Sequence, residues 1–311
     1  MNSNLAFVFP GQGSQKIGML ADLAAANPLV EETFREASDV LGYDAWKLIQ
    51  EGEQEEINLT ERTQPLLLAS SVAIWRLWQQ HNGPQPGAMA GHSLGEWSAL
   101  VCAGVVGFAD AVEIVRARGA FMQQAVPVGV GAMAAIMGIE DQIVIDACSE
   151  AAQGQIAAAV NFNAPGQVVI AGDAAAVGRA IDICKKAGAK RAVELPVSAP
   201  FHTSLMRPAA DNLKDIVEQK NFSAPQIPVL HNVHAQTEED PEQIKSLMLE
   251  QIYKPVRWVD CVNGLSSRGA EILIECGPGR VLNGLSKRID RSLTSLATDD
   301  VASLENALTS V

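Results

Sequence analysis

The sequence predicts an α/β fold in which a parallel-sheet core is interrupted by a small βαββαβ domain, and three observations carry that reading. Leu5-Ala6-Phe7-Val8-Phe9 is an uninterrupted apolar run closed by Pro10-Gly11, as expected of an interior parallel strand buried on both faces. Around Gly91-His92-Ser93-Leu94-Gly95 a short apolar stretch passes through a sharp turn into apolar residues at helical spacing, among them Leu94, Trp97, Leu100 and Val101. From Gly131 to Leu195 the rhythm becomes strand, helix, strand, strand, helix, strand, the split βαβ order of a ferredoxin-like domain.

After strand 5–9, the polar loop Gly11-Gln12-Gly13-Ser14-Gln15 leads into helices over about 17–26 and 28–41. A long helix over 64–81 has Pro65 in its first turn, where a missing N–H is tolerated, and Leu67, Val72, Trp75, Leu77 and Trp78 as packing residues. Strand 87–90, the turn, a helix over 94–103 and a helix over 110–124 complete the first half. The small domain is expected to contain strand 131–137, helix 140–152, strands 155–162 and 167–171, helix 174–187 and strand 190–195. Pro127-Val128-Gly129 and the segment Pro196 to Pro200 flag its edges. The chain then resumes with helix 205–218, strand 227–230, helices 241–252 and 256–268, strand 271–276 and a glycine-rich entry into helix 280–289. Residues 1–127 and 199–311 thus read as one discontinuous, hydrolase-like catalytic domain with residues 128–198 inserted.

At 311 residues and 48% hydrophobic content the chain can bury a large core, which excludes a disordered protein. The net charge of −13, with no basic tract interleaved with aromatics, argues against nucleic-acid binding. No apolar run approaches the length of a membrane span, and the first residues lack the pattern of a secretion signal, so a cytoplasmic location is expected. Five cysteines (Cys102, Cys148, Cys184, Cys261, Cys276) form no C-x-x-C and read as small buried side chains in a reducing compartment. Two basic clusters, Lys185-Lys186 with Lys190-Arg191 and Arg280 with Lys287-Arg288 and Arg291, are either solvated surface charge or a place for a phosphate or acidic partner.

A G-x-S-x-G pentad alone is a weak signal, but here a strand precedes it and a helix follows, the context of an acyl nucleophile. The alternative is a turn whose Ser93 merely caps the helix. Such a serine needs a base, and there are five histidines. His81 sits at a helix end, and His92 lies next to the nucleophile, where neighbouring side chains diverge. His202 lies in Pro196-Val197-Ser198-Ala199-Pro200-Phe201-His202, the loop returning from the small domain, and is the candidate general base and acid. No carboxylate stands out to orient it; a free carbonyl at the helix end near Gln251-Ile252 serves instead, giving a Ser–His dyad. On a helical wheel Arg118 falls within the apolar arc of Ala111, Ile114, Val115, Phe121 and Met122, while Arg116 faces away. A guanidinium there either pairs with a buried protein carboxylate or clamps one on a ligand. The backbone N–H groups of Gln12 and Leu94 are the candidate oxyanion donors. Glu275-Cys276-Gly277-Pro278-Gly279 reads as a tight strand-to-helix turn, and Asn161 and Asn163 either contact substrate or hold a turn.

Together these residues resemble the malonyl-CoA:acyl carrier protein transacylases of bacterial fatty-acid synthesis over essentially the full length. The resemblance rests on Phe9-Pro10-Gly11-Gln12-Gly13-Ser14-Gln15, Gly91-His92-Ser93-Leu94-Gly95-Glu96, Arg118-Gly119 with Met122-Gln123, Gly131-Ala132-Met133, Asn161-Phe162-Asn163, His202, Gln251 and Glu275-Cys276-Gly277-Pro278-Gly279. It implies malonyl transfer from malonyl-CoA to the phosphopantetheine thiol of acyl carrier protein through an ester on Ser93. It also implies His202 as base and acid, Arg118 and Gln12 as substrate-binding residues, Gln12 and Leu94 as the oxyanion hole and the Gln251 carbonyl orienting His202. Met122, Asn161 and Asn163 are candidate substrate contacts, and the expectation is a monomer needing no metal or bound cofactor. Phe201 stands where members commonly have serine, and Trp97 where many have tyrosine. A serine thioesterase and a noncatalytic module binding carrier protein are the alternatives, distinguished by whether a covalent intermediate forms and whether its turnover needs carrier protein.

Overall fold

The computed structural model describes residues 2–197 and 199–311; Met1 and Ser198, the expected last residue of the small domain, lie outside the described residues. Five parallel strands form the main sheet: β1 (Asn2–Phe9), β2 (Pro86–Gly91), β7 (Val229–Leu230), β8 (Ile272–Glu275) and β9 (Thr294–Ala297), in the order β7-β2-β1-β8-β9. Four antiparallel strands, β3 (Gly131–Met137), β4 (Ala157–Ala164), β5 (Gln167–Asp173) and β6 (Arg191–Glu194), form the second sheet in the order β4-β5-β3-β6. With helices Asp141–Ala152 and Ala174–Lys186 in the intervals, this is the expected ferredoxin-like arrangement.

β1 occupies the centre of the main sheet, and its residues Leu5 to Phe9 are fully buried, which is what an unbroken apolar run requires. Helix Thr60–Gln80 covers it: the Phe7 ring meets Trp75 and Trp78 edge-on at 5.2 and 5.1 Å. That helix begins a turn earlier than the spacing predicts, so Pro65 lies in its second turn. The polar start Thr60-Glu61-Arg62-Thr63 hides the true beginning, and Thr63 ties it down by donating its hydroxyl to the Ile57 carbonyl at 2.6 Å. Helices Ala45–Glu51 and Gln54–Ile57, strand β9 and helix Val301–Thr309 have no counterpart in the sequence reading. Each is short, and the Asp44 and Asp300 carboxylates that cap two of them act over three residues, leaving no long periodic pattern.

The register brings the carboxyl ends of the strands together. Phe9 lies opposite Gly91, Val8 opposite Glu275 and Ala90 opposite Leu230, so the loops after β1, β2, β7 and β8 open along one edge. In parallel α/β sheets that edge is where ligands bind. The glycine-rich segment after β8 is a strand-to-helix turn: the buried Glu275 carboxylate accepts the N–H groups of Leu282 and Asn283 at 3.0 and 2.8 Å, capping helix Val281–Ile289. Burial nevertheless pushes that carboxyl up to about 7.

Candidate active site

β2 turns into helix Leu94–Cys102 through His92 and Ser93, and the turn is tight enough to demand its two glycines. A Cβ on Gly91 would lie 1.9 Å from the Gly95 carbonyl carbon, and one on Gly95 would lie 2.0 Å from the Phe9 oxygen. Ser93 itself is held at φ 52° and ψ −107°, outside the ordinary regions for a residue with a side chain. Its hydroxyl makes no capping bond to the helix, which removes the capping alternative, and instead lies 2.8 Å from His202 Nε2.

His202 Nδ1 is 2.8 Å from the backbone oxygen of Gln251, the residue that ends helix Pro241–Glu250. A carbonyl only accepts, so Nδ1 carries the proton and the Nε2 lone pair faces the Ser93 hydroxyl. The ring is buried, and that burial, reinforced by the charge of Arg118, holds its pKa down at about 3. The imidazole is therefore neutral across the physiological range and available as an acceptor.

Helix Phe108–Gln124 carries Arg118 into the same place, 1% exposed, while Arg116 is exposed on the opposite face. Arg118 donates from Nη1 to Gln64 Oε1 at 2.7 Å, and from Nη2 to Gln251 Oε1 at 2.8 Å and Ser93 Oγ at 3.3 Å. Among the described residues its Nε has no partner and no carboxylate lies within ion-pair distance. Burial lowers its pKa to about 10, with Glu96 acting in the opposite direction. Among the described residues the guanidinium forms no structural ion pair; it is an acceptor-lined charge 3.3 Å from the serine oxygen.

A cleft of about 600 Å³ opens over these groups. Gln12, Ser93, Leu94, Arg118 and His202 line one side, and Met133, Val169, Val193 and Leu195 of the antiparallel sheet and its exit line the other. Among the described residues, no protein carbonyl accepts from the N–H of Gln12 or of Leu94. Met122, Asn161 and Asn163 also line the cleft: Asn163 Oδ1 is 2.7 Å from His92 Nε2, and Asn161 Oδ1 is buried without a partner among the described residues. Phe201 is mostly buried and contributes to the wall beside His202.

Further polar residues complete the site, among them Glu96 and Gln64, for which the sequence alone suggests no role. The Glu96 carboxylate is buried; Oε1 accepts from His231 Nδ1 at 2.8 Å, and Oε2 from the Gln251 side-chain amide at 2.7 Å and the Asn232 N–H at 3.0 Å. The Gln251 amide also donates to the Ser93 carbonyl at 2.9 Å, so Gln251 serves His202 through its backbone and Arg118 through its side chain. The one available signal for Glu96 is a charged residue inside an apolar stretch, between Leu94 and Trp97, whereas Gln64 follows the polar run Thr60-Glu61-Arg62-Thr63 and carries no such mark.

Residues 6–303 match the acyl transferase domain family. A malonyl CoA-acyl carrier protein transacylase of Salmonella typhimurium is 56% identical over 99% of this chain and 99% of its own length. The crystal structure of an acyl carrier protein S-malonyltransferase from Vibrio cholerae superimposes with a TM-score of 0.96 at 58% identity, covering 97% of this chain and 99% of that one. A malonyl-transacylase in complex with its type II PKS acyl-carrier protein gives a TM-score of 0.98 at 56% identity, covering 99% of this chain and all of that one.

Proposed function

The chain belongs to the malonyl-CoA:acyl carrier protein transacylase family, and we propose that Ser93 is the residue on which it carries the malonyl group. The reaction is an acyl transfer from malonyl-CoA to the phosphopantetheine thiol of acyl carrier protein, in two half-reactions. In the first, Ser93 Oγ attacks the thioester carbonyl while His202 Nε2 takes the hydroxyl proton, and the N–H groups of Gln12 and Leu94 receive the developing oxyanion. Collapse breaks the carbon–sulfur bond, and the imidazolium returns its proton to the CoA thiolate. In the second, His202 takes the proton of the carrier thiol, the thiolate attacks the ester, and the proton goes back to Ser93 Oγ as the carbon–oxygen bond breaks.

The observation that carries this reading is Arg118, a buried cation that forms no ion pair among the described residues, within 3.3 Å of the attacking oxygen. The free carboxylate of malonyl fits the missing partner, with the guanidinium fork giving paired, charge-assisted hydrogen bonds. An acetyl group would occupy the cleft and leave Arg118 uncompensated, which sets the direction of specificity. Gln12, Met122, Asn161 and Asn163 are read as contacts along the rest of the donor, since all line the cleft.

For the carrier protein, Arg191 and Arg288 are the favoured docking cations. Arg191 lines the cleft and Arg288 donates to Gln167, which lines it too, whereas Arg280 is tied to Asp299 and Asp300 at 3.0 and 2.8 Å. Lys185 and Lys186 end helix Ala174–Lys186, where they suit its dipole. On this reading residues 128–198 form the inserted small domain, and the chain works as a cytoplasmic monomer. Among the described residues no helix is long and apolar enough to cross a membrane. The test is CoA release from malonyl-CoA with and without carrier protein. One stoichiometric release followed by turnover only when carrier protein is added supports transfer; rapid turnover to water alone contradicts it.

A further inference from the structure

We propose that Asn232 is a positioning residue for the nucleophile, its carboxamide clamping both sides of the turn that carries Ser93 and so keeping the hydroxyl within reach of His202. The proposal rests on the reading of Ser93 as the acyl carrier. β7 lies beside β2 with Ala90 opposite Leu230, so the chain leaving β7 passes directly by the turn. There the fully buried Asn232 accepts the Ser93 N–H on Oδ1 at 2.8 Å and donates from Nδ2 to the Gly91 carbonyl at 2.7 Å. A carboxamide offers an acceptor and a donor side by side, and the turn presents the complementary pair. The backbone of Asn232 is fixed in turn: its N–H goes to Glu96 Oε2 at 3.0 Å, and its carbonyl accepts the Arg257 N–H at 3.2 Å.

Two features make this clamp bear on the reaction as well as on the fold. Ser93 sits at φ 52° and ψ −107°, a conformation that a residue with a side chain keeps only where its surroundings impose it, and Asn232 takes up the backbone N–H of that residue. The 2.8 Å contact from Ser93 Oγ to His202 Nε2 depends on that backbone geometry. The clamp also commits the Ser93 N–H to a protein acceptor, which leaves the oxyanion to Gln12 and Leu94. Asn232 itself does not line the cleft, so its effect on chemistry runs through the turn alone.

Asn232→Asp tests the idea most sharply, because a neutral carboxyl keeps the shape and both bonds: its carbonyl oxygen accepts from Ser93 and its hydroxyl donates to Gly91. Ionised, the second oxygen faces the Gly91 carbonyl and repels it. Single-turnover acylation by malonyl-CoA, normalised to folded protein, is expected near the wild-type rate at about pH 5 and to fall about a hundredfold as the new carboxyl ionises, while wild type shows no such fall. The wild-type base does not confuse that window, being unprotonated down to about 3. Asn232→Ala is expected to acylate about a hundredfold more slowly with malonyl-CoA and acetyl-CoA alike, with the dissociation constant for malonyl-CoA unchanged. A merely structural asparagine would shift the unfolding temperature and leave the rate per folded site and its pH profile untouched. An Asn232→Asp rate that stays at the wild-type level after the new carboxyl has ionised, at whatever pH the profile shows that to occur, or an Asn232→Ala rate within about threefold of wild type, overturns the clamp. Should Asn232→Ala fail to fold, the Asn232→Asp profile decides alone. Failure of the Ser93 reading shows separately, as wild-type protein carrying no malonyl on Ser93.

Discussion

Replacing Arg118 with alanine is expected to damage malonyl transfer far more than acetyl transfer, and the structure sets the scale. The guanidinium is 1% exposed, and burial lowers its pKa to about 10, which corresponds to about 3 kcal/mol of differential stabilisation lost by the charged form. A malonyl carboxylate paired with it relieves that cost. Take the guanidinium away and the carboxylate is left in the cleft without a cation, and breaking such a buried pair costs about 3–5 kcal/mol. That corresponds to a loss of about two to four orders of magnitude in kcat/KM for malonyl-CoA. Acetyl never makes the pair, so its transfer is expected to change by less than about tenfold. It even gains one advantage, because the Arg118 charge is one of the influences that depress the His202 base. The assay is initial-rate CoA release with each donor in the presence of carrier protein, with folded protein verified by circular dichroism. Equal proportional losses for the two donors would refute the carboxylate clamp.

The remaining expectations concern the base, the docking face and the turn. Because burial holds the His202 imidazole neutral down to about 3, its active, unprotonated form is fully populated through neutral pH and is lost only as pH falls through that value. Single-turnover acylation should therefore stay flat from about pH 5 to 8, and an inflection near the ordinary histidine value of about 6.5 would show a solvated base. Charge reversal at Arg191 and Arg288 together should raise KM for carrier protein by about tenfold or more, a larger loss than single-turnover acylation by malonyl-CoA shows. Reversal at Lys185 and Lys186 should do little, and the opposite ranking would move the docking face to that helix end. Gly95→Ala should lower stability by about 1–3 kcal/mol or more, read from the urea midpoint, since its Cβ would lie 2.0 Å from the Phe9 oxygen.

The residues legible in the sequence are those whose local context is unusual. Ser93 stands in a glycine-bounded turn, His202 in a proline-bounded loop, and Arg118 on an apolar helix face; each contradicts its surroundings unless it has a task. The Gln251 carbonyl was reachable for the same reason, since a helix end leaves carbonyls free. Gln64, Glu96, Asn232 and the Gln251 side chain are different. Their partners lie far away in the chain, Gln64 being 54 residues from Arg118 and Asn232 139 from Ser93, and a buried glutamine at the start of a helix has the same letter as a solvated one. The central strands and the βαββαβ order follow from apolar patterning, whereas β9 and the short helices near residue 50 owe their existence to neighbours already in place.

The central claim is that Ser93 holds the malonyl group between donor and acceptor. Intact-mass analysis after brief exposure to malonyl-CoA, with peptide mapping of the adduct and a second reading after carrier protein is added, tests it most directly. The account predicts one malonyl per chain on the peptide containing Ser93, none in Ser93→Ala, and its disappearance as malonyl-carrier protein forms. An adduct that persists in Ser93→Ala, or malonyl-carrier protein forming at the wild-type rate without that serine, would contradict it.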